Sequence, residues 1–162
     1  MPIRPATAAD VAVIVQLERQ TATAAHWSEE QYRSLFGTSG EPSQRLTIVA
    51  EQAQAEGSVR DGKEKSAVQG FLVARNLGTE WEIENLVVSE AVRRRGFGRR
   101  LVEELSARAH AAGAESVFLE VRESNQPARA LYQSLGFAMT GRRKGYYASP
   151  AEDALLYRLG LS

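Results

Sequence analysis

Between residues 93 and 100 the chain reads Arg93-Arg94-Arg95-Gly96-Phe97-Gly98-Arg99-Arg100, five arginines interrupted by two glycines. The run lies between a β-rich stretch and an amphipathic helix. Glycines at alternate positions let a backbone approach a ligand closely, and the amides at a helix start offer donors and the positive dipole end to an anion. Arginines are unfavourable at that end of a helix unless an anion joins them. A phosphate cradle therefore accounts for the run better than a solvated basic helix start. The third glycine and acidic residue of a dinucleotide fingerprint are missing, as is the GK[ST] ending of a P-loop.

Glu120 lies inside Phe118-Leu119-Glu120-Val121. Glutamate is depleted in strands and rarely buried unpaired, so it must reach a sheet edge, a cleft or a cation such as Arg122. It is either half of a structural ion pair or, if it lines a cleft, a desolvated carboxylate suited to general-base work. Tyr132 follows on the next helix and by itself reads as a core or rim aromatic, and Asn125 at the turn before it reads as a helix cap. Trp27 and Tyr146-Tyr147 either pack the core edge or flank a peptide groove.

These residues need a scaffold. Ile3-Arg4 starts a short strand, and Thr7 with Asp10 caps a helix whose apolar positions Val11, Ile14, Val15 and Leu17 share a face, ending near Thr21. Ser28 with Gln31 opens a second, short helix that closes at Gly37. Leu46–Ala50 and Val68–Ala74 read as strands joined by a solvated, mobile hairpin loop over Gln52–Ala67. In Trp81–Val88, Trp81, Ile83 and Asn85 alternate with Glu82 and Glu84 before the pattern collapses into a buried Leu86-Val87-Val88, a switch that can mark a bulge. Leu101, Leu105, Ala109 and Ala112 repeat at helical spacing until Gly113. Ser116–Val121 reads as a strand covered on both faces, followed by a helix with Pro127 in its first turn that runs to Gly136. Strands near Ala138–Arg143 and Asp153–Arg158 finish the chain. The order β-α-α-β-β-β-α-β-α-β-β implies an α/β (α+β) layout around one central sheet.

Composition narrows the chemistry. The 162 residues contain no cysteine and two histidines, His26 and His110, which removes disulfide staples, thiol catalysis and cysteine-ligated metals and leaves no metal site expected. The length suits a single domain over 1–162. With 20 basic and 20 acidic side chains and a pI near 6.8, the whole surface is not built to track nucleic acid, and no direct nucleic-acid contact is expected. Neither a signal peptide nor a bilayer-spanning run is present, so the expectation is a soluble cytoplasmic protein with no membrane partner.

The constellation resembles the GNAT acetyltransferases. Their acetyl-CoA loop, Arg/Gln-x-x-Gly-x-Gly/Ala, is matched by Arg93-x-x-Gly96-x-Gly98, preceded by Leu86-Val87-Val88 where the family has a bulged strand. More narrowly, His26-Trp27-Ser28-Glu29, Leu119-Glu120-Val121-Arg122, Ser124-Asn125, Ala130-Leu131-Tyr132-x-Ser134-Leu135-Gly136-Phe137, Tyr146-Tyr147 and Glu152-Asp153-Ala154 resemble the RimI branch of ribosomal-protein-alanine N-acetyltransferases. The resemblance implies a mixed, mostly antiparallel sheet of about seven strands flanked by about four helices. It implies acetyl-CoA as co-substrate, bound through Arg93, Arg94, Arg95, Gly96, Phe97, Gly98 and Arg99. Leu86, Val87 and Val88 would hold the pantetheine and polarise the thioester, with Asn125 also contacting the cofactor. It further implies Glu120 as general base, Tyr132 as general acid, and an acceptor groove that includes Trp27, Tyr146 and Tyr147. Three departures lie near that groove: the Gln52–Ala67 insertion, His26 where the family commonly has proline, and Gly145 where it commonly has asparagine.

Direct transfer needs no covalent enzyme intermediate, which suits a chain without cysteine. An α-amine with a pKa of about 7.7–8.0 is roughly 10% neutral at pH 7, against less than about 0.1% for lysine at about 10.4. The expected acceptor is therefore a protein or peptide N-terminus, a ribosomal protein's terminal alanine by resemblance. The alternatives are a GNAT that acetylates a small-molecule amine or lysine, and a non-enzymatic anion- or nucleic-acid-binding module built on Arg93–Arg100.

Overall fold

The computed structural model describes residues 2–36, 44–52 and 68–162. Seven strands form one sheet in the order β1-β2-β3-β4-β5-β7-β6. They are β1 (Ile3–Pro5), β2 (Arg45–Glu51), β3 (Val68–Asn76), β4 (Glu80–Val88), β5 (Ser116–Arg122), β6 (Ala138–Ala148) and β7 (Ala151–Gly160). The helices are α1 (Val11–Arg19), α2 (Glu29–Ser34), α3 (Phe97–Ala111) and α4 (Gln126–Ser134). Element order and mixed α/β class agree with the sequence reading. The last two strands run longer than expected and take in Tyr146-Tyr147. The expected hairpin loop from residue 53 onward, and the expected helix stop at Gly37, lie outside the described residues.

Two apolar layers enclose the sheet. On one face Val11, Ile14, Val15 and Leu17 of α1 pack with Tyr32 of α2 against Val49, Phe71, Val73 and Val87. On the other, Leu101, Val102, Leu105 and Ala109 of α3 join Tyr132 of α4 over Ile48, Leu72, Ile83, Leu119 and Tyr157. Ala112, expected on the buried stripe, is the exposed C-cap of α3, and Val102 takes that share of the packing.

All strand neighbours are antiparallel except β4 and β5, whose connection passes through α3. Parallel neighbours require such a crossover. Their pairing stops early, Glu80 to Ile83 lying against Ser116 to Leu119. Beyond that point β4 continues on β3 alone and β5 continues on β7 alone. The sheet therefore splits between two of its central strands.

A bulge sets what the split exposes. Val73 pairs with Asn85 but Ala74 pairs with Ile83, so Glu84 has no partner on β3. The extra residue reverses side-chain parity. Trp81 and Ile83 face the α3 layer, and so do Leu86 and Val88, whereas Asn85 and Val87 turn to the α1–α2 face. The expected bulge is present. Trp81, Ile83 and Asn85 are buried in alternation with Glu82 and Glu84 as expected, although the bulge turns Asn85 to the opposite face; the expected continuous burial of Leu86-Val87-Val88 is wrong, because Val87 is buried and Leu86 and Val88 are half-buried. β5 also differs from expectation: Val117, Leu119 and Val121 are buried, while Phe118, Glu120 and Arg122 on the other face are partly open.

Candidate active site

The divergence of β4 and β5 opens a cleft of about 1130 Å³. One wall is the turn before α3. Gly96, the N-cap, adopts φ 82°, and Arg94 adopts φ 64°. The left-handed region is open to glycine but costs other residues roughly 1–2 kcal/mol. The first backbone bond into the helix is Arg100 N–H to Gly96 O at 3.0 Å, and none of the amides from Arg94 to Arg99 reaches a backbone carbonyl. Of this turn, Arg93, Arg94, Gly96, Phe97, Gly98 and Arg99 border the cleft. Arg99 is tethered, donating to Ser134 Oγ at 2.9 Å. A Cβ on Gly98 would stand 3.2 Å from Leu131 Cδ2, so glycine lets α4 close over this turn.

β4 forms the floor. Ser89 N–H donates to Gln69 O, and Val87 O faces Gly70, so the backbone of Val87 and Ser89 points to β3. By strand alternation the peptide groups of Leu86 and Val88 point the other way, into the gap that β5 has vacated. The side chains of Leu86 and Val88 line the cleft; Val87 is buried under α1 and α2, and Arg95 stays outside. The family resemblance grouped both with the cofactor contacts because it carries over whole motifs and does not distinguish neighbouring positions of a turn or strand.

Glu120 and Tyr132 meet the same cleft from β5 and α4. Tyr132 is 5% exposed, its ring 5.4 Å from that of Phe137. Its hydroxyl has no hydrogen-bond partner among the described residues, and burial pushes the phenol pKa upward. Glu120 Oε1 lies 3.3 Å from Arg143 Nε. The expected partner Arg122 instead pairs with Glu152 at 3.5 Å and lies 4.1 Å over the Tyr147 ring. Glu82, across the split strands, has its pKa raised by burial and then by the negative charges of Glu84 and Glu120. Asn125 acts as the expected cap, accepting from Ala128 N–H at 3.2 Å, and also borders the cleft.

Trp27, Tyr146 and Tyr147 line the opposite mouth. The two tyrosine rings meet edge to face at 5.1 Å, and Arg143 lies 5.3 Å from the Tyr146 ring. The charge of Glu120 and burial raise the Tyr146 phenol. A hollow of about 350 Å³ beside α1 and α2, lined by Ala12, Val15, Arg19 and Glu29, contains none of the candidate residues. Sequence reasoning missed Arg143 and Glu82. Arg143 reaches Glu120 from β6, with β7 between their strands, and no local pattern signals that; Glu82 was visible as a polar position of an alternating strand, a pattern that assigns it no role.

A carboxylate and a buried phenol beside outward backbone amides, reached through a split sheet from an arginine-rich turn with free amides, are the parts an acyl-CoA-dependent transferase requires. The profile of the Acetyltransferase (GNAT) family matches residues 16–137, and the chain belongs to that family, in its RimI-like branch. It is 34% identical over 155 residues to the ribosomal protein bS18-alanine N-acetyltransferase of Salmonella typhimurium, covering 94% of this chain and 93% of that one. It resembles the crystal structure of the ribosomal-protein-S18-alanine N-acetyltransferase from Escherichia coli with TM-score 0.78 and 28% identity, over 99% and 94% of the two chains. Arabidopsis thaliana NAA60 in complex with acetyl-CoA shares the fold at TM-score 0.81 and 21% identity, over 99% and 98%. GNAT acetyltransferases use acetyl-CoA, and the unsatisfied amides at residues 94–99 and the free Tyr132 hydroxyl fit its phosphates and its thiolate product.

Proposed function

We propose that this chain transfers the acetyl group of acetyl-CoA to the α-amine of a protein N-terminus, and that its acceptor is the terminal alanine of a ribosomal protein. One observation carries the reading: a single cleft runs from the Arg93–Arg99 turn, past Leu86 and Val88, to Glu120, Tyr132 and the aromatic mouth. Similarity over almost the full length to an enzyme named for that acceptor supports the choice of amine.

The bound co-substrate supplies an activated thioester carbonyl. The amides of residues 94–99 and the side chains of Arg93, Arg94 and Arg99 hold its phosphates, with Gly96 and Gly98 giving access; Arg95 adds only longer-range positive charge. Backbone N–H groups at Leu86 and Val88 polarise the carbonyl and stabilise the developing oxyanion. Glu120 accepts a proton from the acceptor nitrogen, Tyr132 donates one to the departing sulfur, and Asn125 contacts the cofactor from the start of α4. Trp27, Tyr146 and Tyr147 flank the acceptor chain. A C–N bond forms as the C–S bond breaks, and of the two protons the ammonium loses, one ends on the thiol and the other in solvent. Residues 1–162 form one catalytic domain. No helix among the described residues is long and apolar enough to cross a membrane, and a ribosomal-protein acceptor places the activity in the cytoplasm.

Thiol release with peptides beginning Ala, Ser or Met, with an Nα-blocked lysine peptide and with small amines tests the reading. Turnover confined to free α-amines, led by alanine, supports it. Turnover of lysine or small amines without Ala-peptides replaces the acceptor. Salt-sensitive duplex binding without acetyl-CoA binding replaces the enzyme reading altogether.

A further inference from the structure

The buried polar side chains Glu18, Tyr32 and Asn85 take no part in the chemistry above, yet they adjoin the acceptor mouth. Glu18 is 4% exposed, Tyr32 0% and Asn85 5%. The Asn85 amide Nδ2 donates to the Tyr32 hydroxyl at 2.7 Å. That hydroxyl faces the Glu18 carboxylate, and burial together with the Glu18 charge pushes the phenol well up. Glu18 also accepts a short hydrogen bond from Trp27 N–H, and Asn85 Oδ1 accepts from Ala25 N–H at 3.2 Å. The result is a closed circuit: two backbone amides of the segment between α1 and α2 are held by side chains of α1 and β4, bridged by a tyrosine of α2.

His26, between those two amides, adopts φ 59°. Holding that conformation in a non-glycine residue requires surrounding structure to over-determine it, and the circuit does so. A proline, common here in the resembling family, is locked near φ −65° and could not take the same path. The circuit also connects directly to the catalytic strand. The bulge at Glu84 that aims the peptide groups of Leu86 and Val88 into the cleft is the feature that turns Asn85 toward Tyr32. Trp27, packed 5.4 Å from the Tyr32 ring, is thereby set at the cleft mouth.

We infer that Glu18, Tyr32 and Asn85 are positioning residues for the acceptor: their circuit fixes Ala25–Trp27 as the acceptor-side wall and so determines which amines fit, without touching the cofactor side. The inference rests on the proposed assignment of that mouth to the acceptor. The Tyr32 hydroxyl, the Glu18 carboxylate and the Asn85 amide must be paired, because a buried polar group left without a partner is costly. Removing one member frees the wall rather than the sheet.

Tyr32→Phe, which keeps the ring, and Glu18→Gln, which keeps an acceptor for Trp27 N–H, test this. The expected result for Tyr32→Phe is a rise of roughly tenfold in acceptor KM, the weight of one hydrogen bond, with kcat and acetyl-CoA KM within about twofold. Glu18→Gln should fall between Tyr32→Phe and wild type. An independent readout is acrylamide quenching of Trp27 fluorescence in a Trp81→Phe background, which should increase in both variants. Unchanged acceptor KM and unchanged quenching in folded Tyr32→Phe would overturn the inference, as would equal rises in acceptor and cofactor KM. If no α-amine is turned over but quenching rises, the acceptor assignment fails while the circuit's hold on the wall stands.

Discussion

At Tyr132, burial and chemistry act in the same direction. The hydroxyl has no partner to share its proton with, and its 5% exposure holds the phenol above its ordinary value of about 10. A raised phenol is neutral at every ordinary assay pH, as a proton donor to sulfur must be. Its contribution to stability is complete below about pH 10 and declines as pH rises through the raised folded-state value. Tyr132→Phe and Glu120→Gln should each lower kcat by about 10²- to 10⁴-fold while acetyl-CoA binding, followed calorimetrically, stays near wild type. The wild-type kcat profile should show no falling limb from this phenol below about pH 10; a limb at pH 8–9 that disappears in Tyr132→Phe would contradict the assignment. Glu120 stood out as a glutamate in an apolar strand, whereas Tyr132 by itself read as a core or rim aromatic and entered the candidate site only through the family resemblance. Arg143 was not legible, because its meeting with Glu120 is created by strand order and not by spacing.

Among elements, the turn into α3 and the bulged β4 shape the cleft of the candidate site. The turn was readable because its glycines and arginines contradict ordinary helix-start chemistry. The bulge was only partly readable: the change of pattern after Glu84 showed, but the reversal of parity did not, since period-2 reasoning assumes an uninterrupted ladder. That is why Asn85 was grouped with Trp81 and Ile83, although it turns to the α1–α2 face. β5 was misread as doubly covered because Phe118 extends its apolar run, although that ring is half-buried and lies 5.6 Å from the Arg158 guanidinium. Gly98 tests how closely the turn and α4 must approach. An alanine Cβ would stand 3.2 Å from Leu131 and 3.8 Å from Val88 Cγ2, so α4 must give by a few tenths of an ångström. Gly98→Ala should therefore raise acetyl-CoA KM about tenfold or more, in keeping with the cost of overpacking, and leave acceptor KM nearly unchanged. An unaltered cofactor KM would show that the cradle does not depend on this contact.

For the whole molecule, zero formal net charge conceals a strong internal asymmetry. The side chains of Arg93, Arg94, Arg95 and Arg100 make no ion pair among the described residues, whereas Glu84 and Glu120, on the other side of the sheet split, are paired with Arg45 and Arg143. Unpaired positive charge is therefore concentrated at the turn, and a focused field of this kind raises the local concentration and on-rate of an anionic co-substrate. The cofactor half can be measured without any acceptor. A ligand that binds only the folded state at one hundred times its Kd stabilises by about 2.7 kcal/mol, which for a domain of this size is roughly 5–10 °C in Tm. Saturating acetyl-CoA should produce a shift of that order at low ionic strength. The shift at fixed ligand should shrink as salt is raised, because the Debye length falls from about 30 Å at 0.01 M to about 10 Å at 0.1 M and the exposed arginines lose their reach. Amides at the helix start are at contact distance and are screened less, so part of the shift should persist at about 0.5 M salt. A shift independent of salt would assign the binding to the amides alone, and no shift at any salt would remove the turn from cofactor binding.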